Sequence, residues 1–246
     1  MQQMAAFAVP RSADLSRLHA IVPVRGLSDG KGRLGEAIDA EEREALMLGL
    51  LDRTLAVLAQ VDACRRVHVV SRDTLLLRLA TRRGAGALSD GGQSHGGDGL
   101  NDALRLGRDA ALREGATAVL CLPADLPVVS VEALERLLDA ADAALAAGQG
   151  RPMAVIVPSD ARDGTNALLL SPPTVIEPAF GGASLEAHLR AAAAAEASVQ
   201  LVADPELGFD LDTPDDLERL DAERLLGLVE LGARAADDLL TSPQDG

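Results

Sequence analysis

The sequence predicts a single three-layer α/β/α domain built around a mostly parallel sheet. Short apolar segments that suit buried strands alternate along the chain with longer segments that suit helices. The chain has 246 residues, of which 48% are hydrophobic, and this is enough for one α/β domain with a sizeable core. Right-handed crossovers between the strands would place helices on both faces of the sheet.

Short apolar runs, several of them rich in β-branched residues, are typical of buried parallel strands. The predicted strands are His19–Val24, Val67–Ser71, Ala118–Leu122, Met153–Pro158, Ala167–Leu170 and Val199–Val202. The predicted helices are Ala40–Gln60, Thr74–Arg82, Leu100–Glu114, Val131–Ala147, Ser184–Ala197 and Pro214–Leu228.

Two helix starts have strong local signals. Asp39 and Glu42 have the spacing of a capping box before the first helix. Thr213 followed by Pro214 offers an N-cap and a proline at the first helical position of the last helix. We expect the domain to span residues 18–228, with frayed tails at 1–17 and 229–246.

The composition argues against several classes of partner. Aromatic residues make up 1% of the chain, so the stacking platforms of single-stranded nucleic-acid binders are missing. A net charge of −15 also opposes binding to nucleic-acid phosphates. The chain has no apolar run of the ~18 residues that a membrane span needs, and its first residues lack a secretory signal. We therefore expect a cytoplasmic protein that binds neither nucleic acid nor membrane.

A basic, glycine-rich loop follows the first predicted strand. Lys31 is the only lysine of the chain, lies between Gly30 and Gly32, and is accompanied by Arg25 and Arg33. Glycines let the backbone and a compact ammonium approach a ligand closely, which suits a polyphosphate. The loop is not an ordinary P-loop, because Gly32 stands where serine or threonine should follow the lysine. The alternative is chance, since loops between strands and helices are commonly rich in glycine.

Carboxylates follow two other predicted strands. Asp125 comes directly after an apolar strand, and Asp210 and Asp212 lie two residues apart, so that their side chains share one face of an extended segment. In open α/β sheets ligands bind beyond the carboxyl ends of the strands. A few hard oxygen ligands suit Mg²⁺ bound together with phosphates. The alternative is that Asp125 and Asp212 merely cap the turns that follow them.

Two further segments suggest an anion site, although each signal is weak by itself because glycine and serine are common before helices: Asp163–Asn166 before a strand and Phe180–Ser184 at a helix start. The histidines show no metal-ligand spacing, so we interpret them as structural or surface residues. They are His19, His68, His95 and His188.

Taken in order, these segments resemble the 2-phospho-L-lactate guanylyltransferase family of coenzyme F420 biosynthesis, which includes bacterial members that use phosphoenolpyruvate. The resemblance covers roughly residues 18–220 and implies a compact nucleotidyltransferase-like (Rossmann-like) fold. It also implies Mg²⁺-dependent transfer of GMP from GTP to a phosphorylated three-carbon acid, with release of pyrophosphate. The segments that carry it are Val22–Leu34, Ala124–Pro127, Gly164-Thr165 with Phe180–Ser184, and Asp210–Pro214.

The resemblance also assigns roles to residues. Arg25 stands where the family's phosphate-contacting cation is more often lysine, and this departure leaves the acceptor's identity open. Asn101 matches a nucleotide-contacting turn, while the basic loop adds Lys31 and Arg33 toward the GTP phosphates. Arg25, Lys31 and Asp125 are the predicted catalytic residues. The metal ligands implied are Asp125, Asp210 and Asp212, and the acceptor-binding residues are Arg25, Thr165, Gly181 and Ser184.

Two alternatives stay open from the sequence. A molybdenum-cofactor guanylyltransferase, or another small-molecule nucleotidyltransferase, would usually carry a fuller Gly-Gly-x-Gly loop than residues 24–34 offer. A non-catalytic nucleotide-binding regulatory domain would not need the acids at Asp125, Asp210 and Asp212. Among acceptors, phosphoenolpyruvate, 2-phospho-L-lactate and 3-phosphoglycerate are not distinguished, nor is GTP from ATP. A downstream enzyme of the F420 pathway is the macromolecular partner that the resemblance suggests.

Overall fold

The computed structural model describes residues 12–27, 34–35, 37–91, 99–160 and 163–241. Lys31 and Arg33 lie outside these residues. The strands are β1 (Leu18–Pro23), β2 (Cys64–Ser71), β3 (Gly86–Ser89), β4 (Ala118–Cys121), β5 (Met153–Pro158), β6 (Thr165–Ser171) and β7 (Ser198–Leu201). The helices are α1 (Ala40–Leu58), α2 (Thr74–Arg82), α3 (Gly99–Arg113), α4 (Val131–Ala147), α5 (Ser184–Ala194), α6 (Pro214–Arg219) and α7 (Ala222–Thr241).

The strands form one sheet in the order β3-β2-β1-β4-β6-β5-β7. Strands β3, β2, β1 and β4 run parallel to one another, and β5 pairs parallel with β7. Strand β6 runs antiparallel to both β4 and β5. The predicted α/β class with a mostly parallel sheet is therefore confirmed. The sequence patterns missed β3, because only alternate residues of this short edge strand are partly buried and it contains no apolar run.

Helices cover both faces of the sheet because successive residues of each strand point to opposite sides. On β1, Ala20 and Val22 belong to a core shared with α1, α2 and α4, whereas Ile21 belongs to a core shared with α3 and α5. A third, smaller core joins α1 to the segment around Phe209 and Leu211. This third core anchors the segment that carries two of the predicted metal ligands.

The carboxyl-terminal region differs from the expectation of one helix followed by a frayed tail. The chain leaves the helical conformation at Leu220, where ψ is 125°, and resumes it in α7. Helix α7 packs closely against α1: a Cβ atom on Gly232 would lie 1.7 Å from the carbonyl oxygen of Ala45. Residues 229–241 are thus part of a packed helix, and residues 242–246 lie outside the described residues.

The amino-terminal residues 12–17, also expected to be frayed, are held by hydrogen bonds. The Ala13 amide donates to the carbonyl of Gly150 at 2.9 Å, and the Asp14 amide donates to the Ser171 hydroxyl at 2.7 Å. Residues 1–11 lie outside the described residues. Across the ranges described above, none of the helices combines the length and apolarity needed to cross a membrane.

Candidate active site

Arg25 and Asp125 lie beyond the carboxyl ends of two neighbouring strands. In the pairing of β1 with β4, Ile21 is opposite Cys121, so the segments that follow these two strands leave the sheet side by side. Arg25 is exposed, whereas Asp125 is half-buried. The sheet topology therefore brings the predicted phosphate-contacting cation and one predicted metal ligand to the same edge.

Backbone hydrogen bonds bring Asp210 and Asp212 to Asp125. The amide of Leu211, between the two aspartates, donates to the Asp125 carbonyl at 3.0 Å. On the other side, the Asn166 side-chain amide donates to the Gly208 carbonyl at 2.8 Å and to Asp210 Oδ1 at 3.2 Å. The residues predicted as metal ligands therefore come together, although about 85 residues of sequence separate them.

The electrostatics of Asp210 are those of a crowded carboxylate. Burial raises the pKa of Asp210 above its usual value, and the nearby charges of Asp125 and Asp212 raise it further, against the hydrogen bond from Asn166. A cation at this edge would relieve the repulsion. In the described part of the chain, only His19, His68 and Glu114 place three potential metal-ligand atoms within 4.8 Å of one another. The carboxylate oxygens of Asp125, Asp210 and Asp212 are therefore more widely spaced than that.

Strand β6 places Thr165 at this edge because it runs antiparallel. Leu168 of β6 pairs with Cys121 at the end of β4, so the first residues of β6 adjoin the carboxyl ends of the parallel strands. Thr165 and Asn166 are both buried there. The sequence patterns did not predict this direction, because a buried apolar strand looks the same whichever way it runs.

Asn101 fastens the loop that precedes α5. Its side-chain oxygen accepts a hydrogen bond from the Phe180 amide at 2.8 Å, and its side-chain nitrogen donates to the Phe180 carbonyl at 3.0 Å. Asn101 was predicted to contact the nucleotide. In the structure these hydrogen bonds hold the loop before α5 against the start of α3, and the nucleotide contact stays a prediction.

Gly181 and Ser184 lie within that loop and at its end. Gly181 has a φ of 126°, which favours glycine, and Ala183, the residue before α5, adopts the left-handed conformation with a φ of 56°. Ser184 is 1% exposed, and its amide donates to the Gly181 carbonyl at 3.2 Å. The Leu185 amide donates to the Asp163 carbonyl at 3.2 Å, so the start of α5 lies beside the residues that lead into β6. The acceptor-binding roles of Thr165, Gly181 and Ser184 stay predictions.

The sequence patterns missed His188, which contacts this region from inside. Its ring lies 3.0 Å from Thr165 Oγ1 through Nδ1 and 2.9 Å from the Ala179 amide through Nε2. The signal that could have found it is the spacing from Ser184, since residues four apart share one face of a helix. His188 has a structural role, as expected of the histidines, but it has that role beside Thr165, one of the predicted acceptor-binding residues.

Two other histidines meet between the neighbouring strands β1 and β2, where His19 is opposite Val119 of β4 and His68 is opposite Ile21 of β1. His19 Nδ1 and His68 Nε2 are 3.1 Å apart, and Glu114 Oε2 lies 3.9 Å from the latter. Arg66 forms an ion pair with the same Glu114 oxygen at 2.8 Å, so a guanidinium already balances this carboxylate. His68 of this pair serves below as a control.

Comparison with solved structures shows which fold the chain has. The fold resembles a nucleotidyl transferase from Methanothermobacter, with a TM-score of 0.57 and 15% identity, over 86% of this chain and 99% of that one. It also resembles a 4-diphosphocytidyl-2C-methyl-D-erythritol synthase, with a TM-score of 0.55 and 19% identity, over 86% and 98% of the two chains. The fold is that of nucleotidyltransferases.

Sequence comparison then identifies the family. The guanylyl transferase CofC-like family matches residues 18–222. A phosphoenolpyruvate guanylyltransferase of Rubrobacter xylanophilus is 44% identical over 82% of this chain and 93% of the relative. One of Sphaerobacter thermophilus is 43% identical over 82% and 91%. The chain belongs to the CofC-like guanylyl transferase family, which confirms the predicted resemblance and the guanylyltransferase activity that it implied.

Proposed function

We propose that this protein transfers the GMP moiety of GTP to phosphoenolpyruvate. A phosphate oxygen of the acceptor attacks the α-phosphorus of GTP, a new P–O–P linkage forms, and the bond to the β-phosphate breaks to release pyrophosphate. The observation that carries the choice of acceptor is the 44% identity with a phosphoenolpyruvate guanylyltransferase over 82% of the chain. The place in coenzyme F420 biosynthesis follows from the family.

This reaction requires cations that compensate the negative charge of the two phosphorylated substrates, and it does not require a general base. A phosphate monoester is largely ionised at pH 7, because its second pKa is about 6, so no histidine has to deprotonate it. Two anions must instead be brought together in line, which cations can accomplish. Arg25 would bind the acceptor together with Thr165, Gly181 and Ser184, while Lys31 and Arg33 would contact the GTP phosphates.

Asp125, Asp210 and Asp212 would hold Mg²⁺. The donor set fits this ion, since carboxylate oxygens are hard ligands, and Asp125 and Asp212 lie close enough to Asp210 to add to the effect of burial in raising its pKa. The wide spacing of the aspartates suits an ion that keeps waters and phosphate oxygens among its ligands. When bound, Mg²⁺ supplies Lewis-acid stabilisation of charge on the phosphates.

An acceptor screen tests the proposal. Phosphoenolpyruvate, 2-phospho-L-lactate and 3-phosphoglycerate are each incubated with GTP or ATP and Mg²⁺, and pyrophosphate is measured. We expect pyrophosphate with GTP and phosphoenolpyruvate, and its loss when Mg²⁺ is chelated. If only 2-phospho-L-lactate supported turnover, the acceptor would be 2-phospho-L-lactate and not phosphoenolpyruvate. In a separate incubation, turnover with a molybdopterin would favour a molybdenum-cofactor guanylyltransferase. GTP binding without pyrophosphate release would indicate the non-catalytic alternative. Cytoplasmic location and a downstream F420-pathway partner stay predictions.

A further inference from the structure

His188 connects the residues predicted to bind the acceptor. It lies on α5 one turn after Ser184, is fully buried, and reaches Thr165 on β6 and Ala179 in the preceding loop. The ring of Phe180 meets it edge-on, with the centroids 5.2 Å apart. One side chain thus joins β6, α5 and the loop between them.

The contacts of His188 decide where its proton lies. A backbone amide can only donate a hydrogen bond, so His188 Nε2, 2.9 Å from the Ala179 amide, must be the acceptor nitrogen. In the neutral ring the proton is then on Nδ1, and it points at Thr165 Oγ1, 3.0 Å away. Burial keeps the ring neutral at pH 7, since it lowers the pKa of His188 to about 4.

This direction of donation has a consequence for Thr165. A hydroxyl group has one hydrogen and two acceptor lone pairs. Because the imidazole N–H occupies a lone pair, the Thr165 hydrogen is directed away from His188. With the opposite direction of donation, the threonine would present only lone pairs to an approaching anion and would repel it.

We propose that His188 is a positioning residue that turns the Thr165 hydroxyl into a hydrogen-bond donor for the phosphorylated acceptor. The inference deepens the proposed function and rests on it. His188 does not touch the acceptor in this arrangement. It sets the direction of the Thr165 hydroxyl and, through Ala179, the position of the loop that leads to Gly181.

Two substitutions separate these tasks. His188→Asn keeps an amide donor close to the position of Nδ1, whereas His188→Gln keeps an acceptor close to the position of Nε2. We expect His188→Gln to raise the KM for phosphoenolpyruvate roughly tenfold or more, as for one lost hydrogen bond to a charged group, with the KM for GTP unchanged. His188→Asn loses the contact with Ala179 but keeps the donor to Thr165, so it should raise this KM by no more than about threefold.

A cycle with Thr165→Val adds a second measurement. The effects of His188→Gln and Thr165→Val on the acceptor KM should be strongly non-additive, because both remove the same donor. His68→Asn and His68→Gln are the matched controls: His68 is 1% exposed, burial also lowers its pKa to about 4, and its ring lies beside His19 and Glu114. Neither control should change the KM for either substrate.

Several outcomes would overturn the inference. Equal acceptor KM values for His188→Asn and His188→Gln would mean that the ring only supports the fold, and so would a parallel rise in the KM for GTP. Nitrogen-15 shifts of the wild-type ring, measured by NMR independently of activity, should show the proton on Nδ1. A proton on Nε2 would contradict the assignment. Absence of pyrophosphate from the wild type under all conditions would instead overturn the proposed function itself.

Discussion

Asp210 is a residue whose charge disfavours the folded state. It is partly buried beside Asp125 and Asp212, and its pKa is raised, first by burial and then by these neighbours. A carboxyl group with a raised pKa in the fold is harder to ionise there than in the unfolded chain, so at neutral pH it reduces the stability of the fold. Such a cost is typical of functional sites, where activity needs a group that stability does not.

Removing this charge should therefore separate stability from activity. We expect Asp210→Asn to raise the Tm of the metal-free protein, by roughly 2–4 °C for each kcal/mol relieved. Turnover should fall at least about 10²-fold. Asp125→Asn and Asp212→Asn should lose activity alike, and double variants should be hardly worse than single ones, because the residues act as a unit.

Asp215→Asn is the matched control, since Asp215 is an exposed acid in the first turn of α6, close to Asp212 in sequence. It should keep both turnover and its Mg²⁺ dependence. Thermal melting with and without Mg²⁺ measures the expected change in stability. Pyrophosphate release measures the expected change in turnover. Parental turnover by Asp125→Asn, with unchanged Mg²⁺ dependence, would contradict the metal assignment.

Lys31 is the other residue on which the proposed chemistry depends. A preorganised cation that stabilises charge in the transition state contributes on the order of 10²-fold to turnover, so Lys31→Ala should cost about that much. Lys31→Arg should recover part of the loss, because it restores the charge in a bulkier form. Initial rates at saturating GTP test this, and parental kinetics in a folded Lys31→Ala variant would rule out the role.

At the scale of elements, glycine decides how α7 packs on α1. A Cβ on Gly49 would lie 1.9 Å from the Leu228 carbonyl oxygen, and one on Gly232 would lie 1.7 Å from that of Ala45. The two helix backbones therefore approach each other where neither has a side chain. The contact also supports the third core around Leu211, which holds the aspartate segment.

Gly232→Ala should consequently weaken the fold. The added methyl group has no space, so we expect a loss of about 1–3 kcal/mol, or more if the helices must separate. Gly227→Ala, in the same helix, is the matched control: its Cβ would meet nothing within 4 Å, and alanine favours the helix by up to ~1 kcal/mol. Urea unfolding of both variants measures the difference. Equal stabilities would contradict the close helix crossing.

At the scale of the whole molecule, buried histidines couple folding to pH: burial lowers the pKa of His19, and it lowers those of His68 and His188 further. Burial lowers the pKa of His68 and of His188 to about 4, whereas an unfolded histidine titrates near 6.5. Between those values the unfolded chain binds protons that the folded chain does not. The stability that these rings contribute is therefore complete above pH 6.5 and is lost as the pH falls toward 4.

The free energy of unfolding should accordingly fall as the pH is lowered from 7 to 5, by up to ~1.4 kcal/mol per pH unit for each histidine. Urea unfolding at pH 7, 6 and 5 measures the slope. His68→Gln should reduce the slope by the contribution of one proton, whatever it does to the stability at pH 7. A stability independent of pH over this window would contradict the buried neutral rings.

Local signals in the sequence were sufficient for most elements and for the candidate acids. Asp39 and Glu42 form the predicted capping box, and Thr213 caps α6 as predicted, because caps depend on residues a few positions apart. Asp125 could be chosen as a candidate because a polar residue at the end of a buried strand lies at the sheet edge where ligands bind. These are properties of short segments, which a sequence determines by itself.

The tertiary structure alone decided what depends on distant partners. The antiparallel direction of β6 places Thr165 beside the carboxyl ends of the parallel strands. Only the packing of α5 brings His188 against Thr165. The close approach of Gly49 and Gly232 likewise turned an expected tail into a packed helix. Burial, hydrogen bonding and excluded volume act between segments far apart in sequence, so local periodicity and spacing carry no signal of them.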